Sequence, residues 1–257
     1  MKPLSARIRE ITVGEGEVAL FWLAQAGFAF KTPANQIVFI DPYFSNIVEK
    51  RFGFKRQMAC PMSAEEGEAS LYVCTHEHLD HMDTDALPTI AQNEKCQFVG
   101  PTECIKYFRS IGIPVERTHL LAEGQSLTVN GITVHGVFAD HGKLAPDAIG
   151  VVFDFDGIRV YHTGDTAYRP DRFGPAIALK PDILLPCING KYGNMDAGEA
   201  ALLTQSARPR IAIPTHFGMF AEHNGDPGEF LRRCATLAPE TTTLLLKPGD
   251  SYVYQKK

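Results

Sequence analysis

Apolar residues in this chain gather in short runs separated by turn-forming residues, the pattern of many strands rather than of long helices. Residues 18–30 form one such run and 36–40 the next; Lys31-Thr32-Pro33-Ala34-Asn35 between them has turn composition, so a hairpin is predicted. Strands are predicted again over 71–74, 97–99, 126–129, 132–138, 149–155 and 158–162. Asn130-Gly131 and Asp156-Gly157 each join two of these runs, and both dipeptides suit a two-residue hairpin turn because their residues accept positive φ. Residues 183–185, 211–213, 243–246 and 251–254 complete the strands. Helices are predicted between them. One covers 84–93 with Asp83 as its cap, and one covers 102–111 and ends at Gly112 and Pro114. A third covers 196–206 with Ala200, Leu203 and Ala207 at helical spacing, and a fourth covers 227–238 with Pro227 at its start. Strands that pair as hairpins, mixed with helices, fit an α/β fold of two sheets packed face to face with helices outside.

The chain has 257 residues, 44% of them hydrophobic, which is enough for a substantial core and fits one domain spanning 1–257. No run approaches the roughly 20 apolar residues of a membrane span, and residues 1–16 lack an apolar leader. A cytoplasmic location away from membranes is expected. The formal net charge of −5 argues against a nucleic-acid partner while leaving room for a local basic pocket. Six cysteines, Cys60, Cys74, Cys96, Cys104, Cys187 and Cys234, include no C-x-x-C pair and read as free, structural thiols. Homo-oligomerisation stays open.

The chemistry lies where predicted strands end. Leu71-Tyr72-Val73-Cys74-Thr75 runs into His76-Glu77-His78-Leu79-Asp80-His81. The strand at 132–138 runs into Asp140-His141, that at 158–162 into Thr163-Gly164-Asp165, and that at 211–213 into Pro214-Thr215-His216. Three imidazoles and an aspartate within six residues desolvate one another badly unless a cation accepts their nitrogen and oxygen donors together.

The stretch Thr75-His76-Glu77-His78-Leu79-Asp80-His81 resembles the H-x-H-x-D-H signature of the metallo-β-lactamase superfamily. Tyr161-His162-Thr163-Gly164-Asp165-Thr166 resembles its later G-D motif, and Pro214-Thr215-His216 its last histidine motif. Phe21-Trp22-Leu23, Ile40-Asp41-Pro42, Val99-Gly100-Pro101 and Gly225-Asp226-Pro227-Gly228-Glu229 look like the L-ascorbate 6-phosphate lactonase group within it. The resemblance implies a four-layer αββα sandwich of two mixed sheets. It also implies two divalent ions, zinc or manganese with iron a third option. His76, His78 and His141 would hold one ion, Asp80, His81 and His216 the other, and Asp165 would bridge them. His135 is the alternative to His141, although it lies mid-strand. Many relatives carry a histidine where this chain has Gln25. His162 is either a support behind the metals or a core residue, and Asp41 either holds a ligand histidine from behind or caps a turn.

Two adjacent ions lower the pKa of a shared water, so a metal-bound hydroxide can attack a carbonyl or phosphorus near neutral pH. Asp80 is the expected catalytic residue, orienting the water or passing its proton. For the substrate, Lys55, Arg56, Arg169, Lys191, Tyr192 and His223 fall in expected site loops and suggest an anion pocket. The resulting expectation is a metal-dependent hydrolase, lactonase-like, that opens the lactone of a phosphorylated sugar acid. The alternatives are a phosphodiesterase or nuclease on the same metals, and a non-catalytic metal-binding module.

Overall fold

The computed structural model describes residues 2–256. Its strands are β1 (Glu17–Trp22), β2 (Phe28–Lys31), β3 (Ile37–Ile40), β4 (Leu71–Val73), β5 (Gln97–Gly100), β6 (Thr118–Leu120) and β7 (Ser126–Val129). The series continues with β8 (Ile132–Phe138), β9 (Ile149–Phe155), β10 (Ile158–His162), β11 (Ile183–Leu185), β12 (Ile211–Ala212), β13 (Thr242–Thr243) and β14 (Ser251–Gln255). The helices are α1 (Leu4–Glu10), α2 (Ile47–Phe52), α3 (Leu87–Ile90), α4 (Thr102–Ser110), α5 (Gly174–Ala178), α6 (Ala197–Ala207) and α7 (Pro227–Leu237). They build two seven-stranded mixed sheets, ordered β14-β1-β2-β3-β4-β5-β6 and β13-β12-β11-β10-β9-β8-β7. In each sheet one half is antiparallel and the other parallel, the change falling at β3/β4 and at β10/β11.

Strand alternation assigns the layers. Val18, Leu20 and Trp22 of β1 face the second sheet, in one core with Val151 and Phe153 of β9 and Leu185 of β11. Their neighbours Ala19 and Phe21 point the other way, into a second core with Leu4 and Ile8 of α1 and Phe108 of α4. Tyr161 and Leu184 on the far face of the second sheet pack with Leu203 and Ala207 of α6. The expected αββα sandwich is therefore present. Among the described residues no helix is long and apolar enough to cross a membrane.

Three local expectations are corrected. The run 18–30 is two strands, because Ala24 (φ +73°) and Gln25 (φ +52°) fold the chain back within it. Every residue from Val18 to Phe30 is buried, so hydrophobicity carries no mark of the turn. The helix expected over 84–93 shortens to Leu87–Ile90, and the Asp83 carboxylate accepts hydrogen bonds from Phe44 N and Ser45 N as well as from Ala86 N. Strands β12 and β13 are only two residues long, where three and four had been expected. Both Asn130-Gly131 and Asp156-Gly157 do form the hairpin turns, all four residues at positive φ.

Candidate metal centre

Each chemically active segment leaves a strand at the same rim of the sandwich. After β4 the chain turns tightly, His81 N and Met82 N donating to His78 O, and this presents His76, His78, Asp80 and His81 from one loop. Strand β8 delivers His141, β10 delivers Asp165 and β12 delivers His216. The core fixes the strand ends while the loops expose the side chains.

Two clusters result, joined by a third grouping of His76, His81 and Asp165. His76, His78 and His141 offer donor atoms within 4.8 Å of one another, as do Asp80, His81 and His216. His78 Nδ1 and His141 Nε2 are 3.2 Å apart, and His81 Nε2 and His216 Nε2 are 3.1 Å apart. Asp165 lies between the clusters. Its Oδ1 is 3.4 Å from His81 Nε2 and 3.2 Å from His216 Nε2, and its Oδ2 is 3.8 Å from His141 Nε2. His76 Nε2 and Asp165 Oδ1 are buried with no hydrogen-bond partner. Nitrogen and oxygen lone pairs converging in a buried space, some of them orphaned, are the donor set a divalent cation completes.

Behind the histidines stands Asp41. Its carboxylate accepts from Thr75 N (2.8 Å), Thr75 Oγ1 (2.6 Å) and His81 Nδ1 (2.7 Å). Thr75 Oγ1 is also 3.0 Å from His76 Nδ1. With its hydrogen given to Asp41, that hydroxyl accepts from His76 Nδ1–H. Both histidines are thereby turned so that Nε2 faces the centre with a free lone pair. His78 is set the other way round, Nε2–H donating to Leu144 O at 3.2 Å and Nδ1 facing inward. Asn194 Nδ2 donates to Asp165 Oδ2 at 2.6 Å. Of the two readings of Asp41, the support from behind is the one the structure gives. Asn194 escaped sequence reasoning because its partner is 29 positions away.

Charge follows burial and neighbours. Burial pulls the His76 imidazole well down, and His81 beside it adds to this. Burial likewise takes His141 down to about 4, against the opposing pull of Asp165. Burial also disfavours protonated His81, but Asp165, Asp80 and Asp41 outweigh it and raise that imidazole well above its ordinary value. Burial works against ionised Asp80 and Asp165 too, yet His81 and His216 hold both carboxyls well below the usual range. Without a cation the site draws a proton onto His81 Nε2, the position whose lone pair a cation would otherwise take.

A cavity of about 420 Å³ opens onto the centre. His78, Asp80, His141, Asp165 and His216 line its floor, and Val48, Phe52, Phe54, Leu79, Leu144 and Phe220 make an apolar wall. Tyr192 and His223 line it, while Lys55, Arg56, Arg169 and Lys191 do not. Arg56 stacks on Tyr43 and donates to the Tyr43, Ser45 and Met58 carbonyls. Arg169 donates to Asp140 Oδ2 at 2.8 Å. Within these segments Phe54 reaches the cavity where Lys55 does not, and Tyr192 reaches it where Lys191 does not. His135 bonds Ser126 Oγ at 2.7 Å and belongs to neither cluster. His162 is a core residue, bonded through Nε2 to Ala26 O (2.7 Å) and through Nδ1 to Gly164 N (3.1 Å).

Residues 19–216 match the beta-lactamase superfamily domain. The chain belongs to the metallo-β-lactamase superfamily, as the paired sheets and the rim of histidines and aspartates already indicated. More narrowly, it is a metal-dependent hydrolase similar to the UPF0173 proteins. The UPF0173 metal-dependent hydrolase of Aeropyrum pernix is 30% identical over 251 residues, covering 91% of this chain and 97% of that protein. That of Polynucleobacter asymbioticus is 28% identical over 234 residues, covering 84% and 80%. Among solved structures, the metallo hydrolase Igni18 of Ignicoccus hospitalis superposes with a TM-score of 0.75 at 22% identity, covering 94% of this chain and 100% of that one, a likeness of fold.

Proposed function

We propose that this hydrolase opens small uncharged esters, lactones first among them, at a centre of two divalent cations. His76, His78 and His141 would hold one cation and Asp80, His81 and His216 the other, with Asp165 between the two sets. Nitrogen and oxygen donors suit zinc, manganese or iron. The bound cations supply Lewis acidity to the carbonyl and to the attacking water.

The chain's residues do the rest. Asp80, with 15% of its side chain exposed, faces the cavity as an ionised carboxylate and accepts a hydrogen bond from a water approaching its floor. The Asp41–Thr75 pair keeps the lone pairs of His76 and His81 aimed inward. His223 stacks on His216 with ring centroids 5.0 Å apart. Burial and His216 take it down to about 4, so it is neutral at physiological pH and can donate one hydrogen bond to a substrate oxygen. The wall of Val48, Phe54, Leu79 and Phe220 packs the apolar part of the substrate and excludes water.

The observation that carries this reading is the wall itself, which among the described residues includes no lysine or arginine. The likeness to the lactonase group supports a ring ester, and the wall argues against the phosphate once expected on it. The test is a panel of a neutral lactone, its phosphorylated analogue and an aryl phosphodiester on protein reconstituted separately with manganese and zinc. Turnover of the neutral lactone at roughly tenfold or more the specificity constant of its phosphorylated analogue is expected, the size of one lost charge-assisted contact. Preference for the phosphorylated lactone would restore the anion pocket, and preference for the diester would favour a phosphodiesterase.

A further inference from the structure

We infer that Gln25 is an additional oxygen ligand to the cation at Asp80, His81 and His216, presented by rotation of its carboxamide; the inference rests on the ligand reading proposed above. Gln25 is completely buried. Its amide nitrogen lies 2.8 Å from Asp80 Oδ2 and 3.2 Å from His216 Nε2. Those two atoms are 3.3 Å apart, and His81 Nε2 is 3.1 Å from the imidazole nitrogen and 3.7 Å from the carboxylate oxygen. Donors about 2.1 Å from a five-coordinate ion stand about 3.0–3.6 Å from one another. Asp80, His81 and His216 therefore already hold ligand-shell spacing, and the amide end of Gln25 lies against two of their three donor atoms.

The amide nitrogen itself cannot ligate, because its lone pair is delocalised into the carbonyl. The oxygen can, and Gln25 Oε1 is buried with no hydrogen-bond partner at all. The two ends of a carboxamide have nearly the same shape, so a half-turn about the last side-chain bond exchanges them in the same space. Without a cation, the N–H end donates to Asp80 Oδ2. With one, that hydrogen bond is superseded, and the half-turn brings the orphaned oxygen to the ion.

The backbone is built to hold this residue there. Ala24 and Gln25 both lie in the left-handed region, at φ +73° and +52°, a conformation that side-chain-bearing residues adopt at a cost. The Gln25 carbonyl accepts from Trp22 Nε1 (3.1 Å) and from His216 N (3.0 Å), tying the turn to the ligand strand itself. A strained turn anchored at the backbone of a ligand and aimed at that ligand's side chain is poorly explained by packing alone.

The test is calorimetric titration of chelator-stripped full-length protein with manganese and with zinc, with metal content checked after desalting. Gln25→Ala is expected to keep the first ion and to weaken the second by about 10- to 100-fold, the scale of losing a metal-supporting group. Gln25→Glu, which keeps an oxygen at the same reach, is expected to restore the second ion. Retention of the first ion by Gln25→Ala, with unfolding in chelator near that of the wild type, shows that the variant is folded. Two ions bound by the wild type and equally well or more tightly by Gln25→Ala would overturn the inference and leave the ligand reading standing. A wild-type chain that takes up no more than one ion would overturn both.

Discussion

Asp41 illustrates how much one buried carboxylate decides. It fixes Thr75, and through direct and relayed hydrogen bonds it fixes the tautomers of His81 and His76. Asp41→Asn replaces an acceptor oxygen with a donor facing other donors. We expect metal affinity to fall by about 10- to 100-fold with the fold retained, as read by metal titration and by unfolding in chelator. Unchanged affinity would show that Asp41 serves only its turn. His162 makes the opposite case. It resembles a ligand in sequence, three residues before Asp165, yet both of its nitrogens are engaged with backbone groups. His162→Ala should cost about 1–3 kcal/mol for each backbone group left unpaired and leave metal stoichiometry intact. Burial lowers the His162 pKa from its ordinary 6.5. Neutral in both states above 6.5, it loses stability as pH falls below that value, because the unfolded chain takes the proton first. The gap in unfolding free energy between wild type and His162→Gln, measured by urea titration in chelator, should therefore narrow from pH 7 toward pH 5.5. A gap independent of pH would mean that His162 titrates as an exposed residue.

At the scale of elements, the site depends on how strands end. Strand β10 stops at His162, and Gly164, at φ +61°, turns the chain so that Asp165 reaches both clusters. A Cβ at Gly164 would lie 2.8 Å from Ile149 O and 3.1 Å from Thr75 Cβ, the residue that orients His76. Gly164→Ala is expected to cost at least about 1–2 kcal/mol from the left-handed backbone alone. It should also weaken metal binding, because the backbone shift that relieves the clash moves Asp165 or Thr75. A stability loss without any change in metal affinity would separate the turn from the site. The hairpins at Asn130-Gly131 and Asp156-Gly157 were legible because their signal is local, two residues whose φ preference fits one turn. The turn at Ala24-Gln25 was not, because a hydrogen bond from the distant His216 N, added to a local one from the Trp22 ring, holds residues of no turn preference in a left-handed conformation.

For the whole molecule, the question is what the charges do. The chain carries a net charge of −5, yet its cavity is lined mainly by apolar groups above a floor of histidine and aspartate side chains. Electrostatic steering of a charged substrate falls steeply with salt, and that of a neutral one does not. The specificity constant for a neutral lactone should therefore stay within about twofold between ~0.05 and ~0.5 M salt, where the Debye length shrinks severalfold. A steep decline would point back to an anionic substrate. The fold spreads the candidate ligands across both sheets, so metals held there would clamp the layers together. Chelation is expected to lower the melting temperature, since whatever binds only the folded state stabilises it by mass action; a scan with and without chelator reads this directly.

What the sequence determined by itself were the quantities that local chemistry sets. The alternation of apolar residues prescribed strands, the Asn-Gly and Asp-Gly pairs prescribed hairpins, and the loop from His76 to His81 carried a donor density with no structural purpose short of a cation. The tertiary structure alone decided which of the remaining polar residues share that centre. Asp41 and Asn194 reach it from distant segments, His162 turns away into the core, and Phe54 displaces its charged neighbours from the cavity wall. The physical reason is that a side chain's direction depends on the backbone of its own turn and on what packs behind it. Adjacent residues such as Phe54 and Lys55 share a place in the sequence but not an environment.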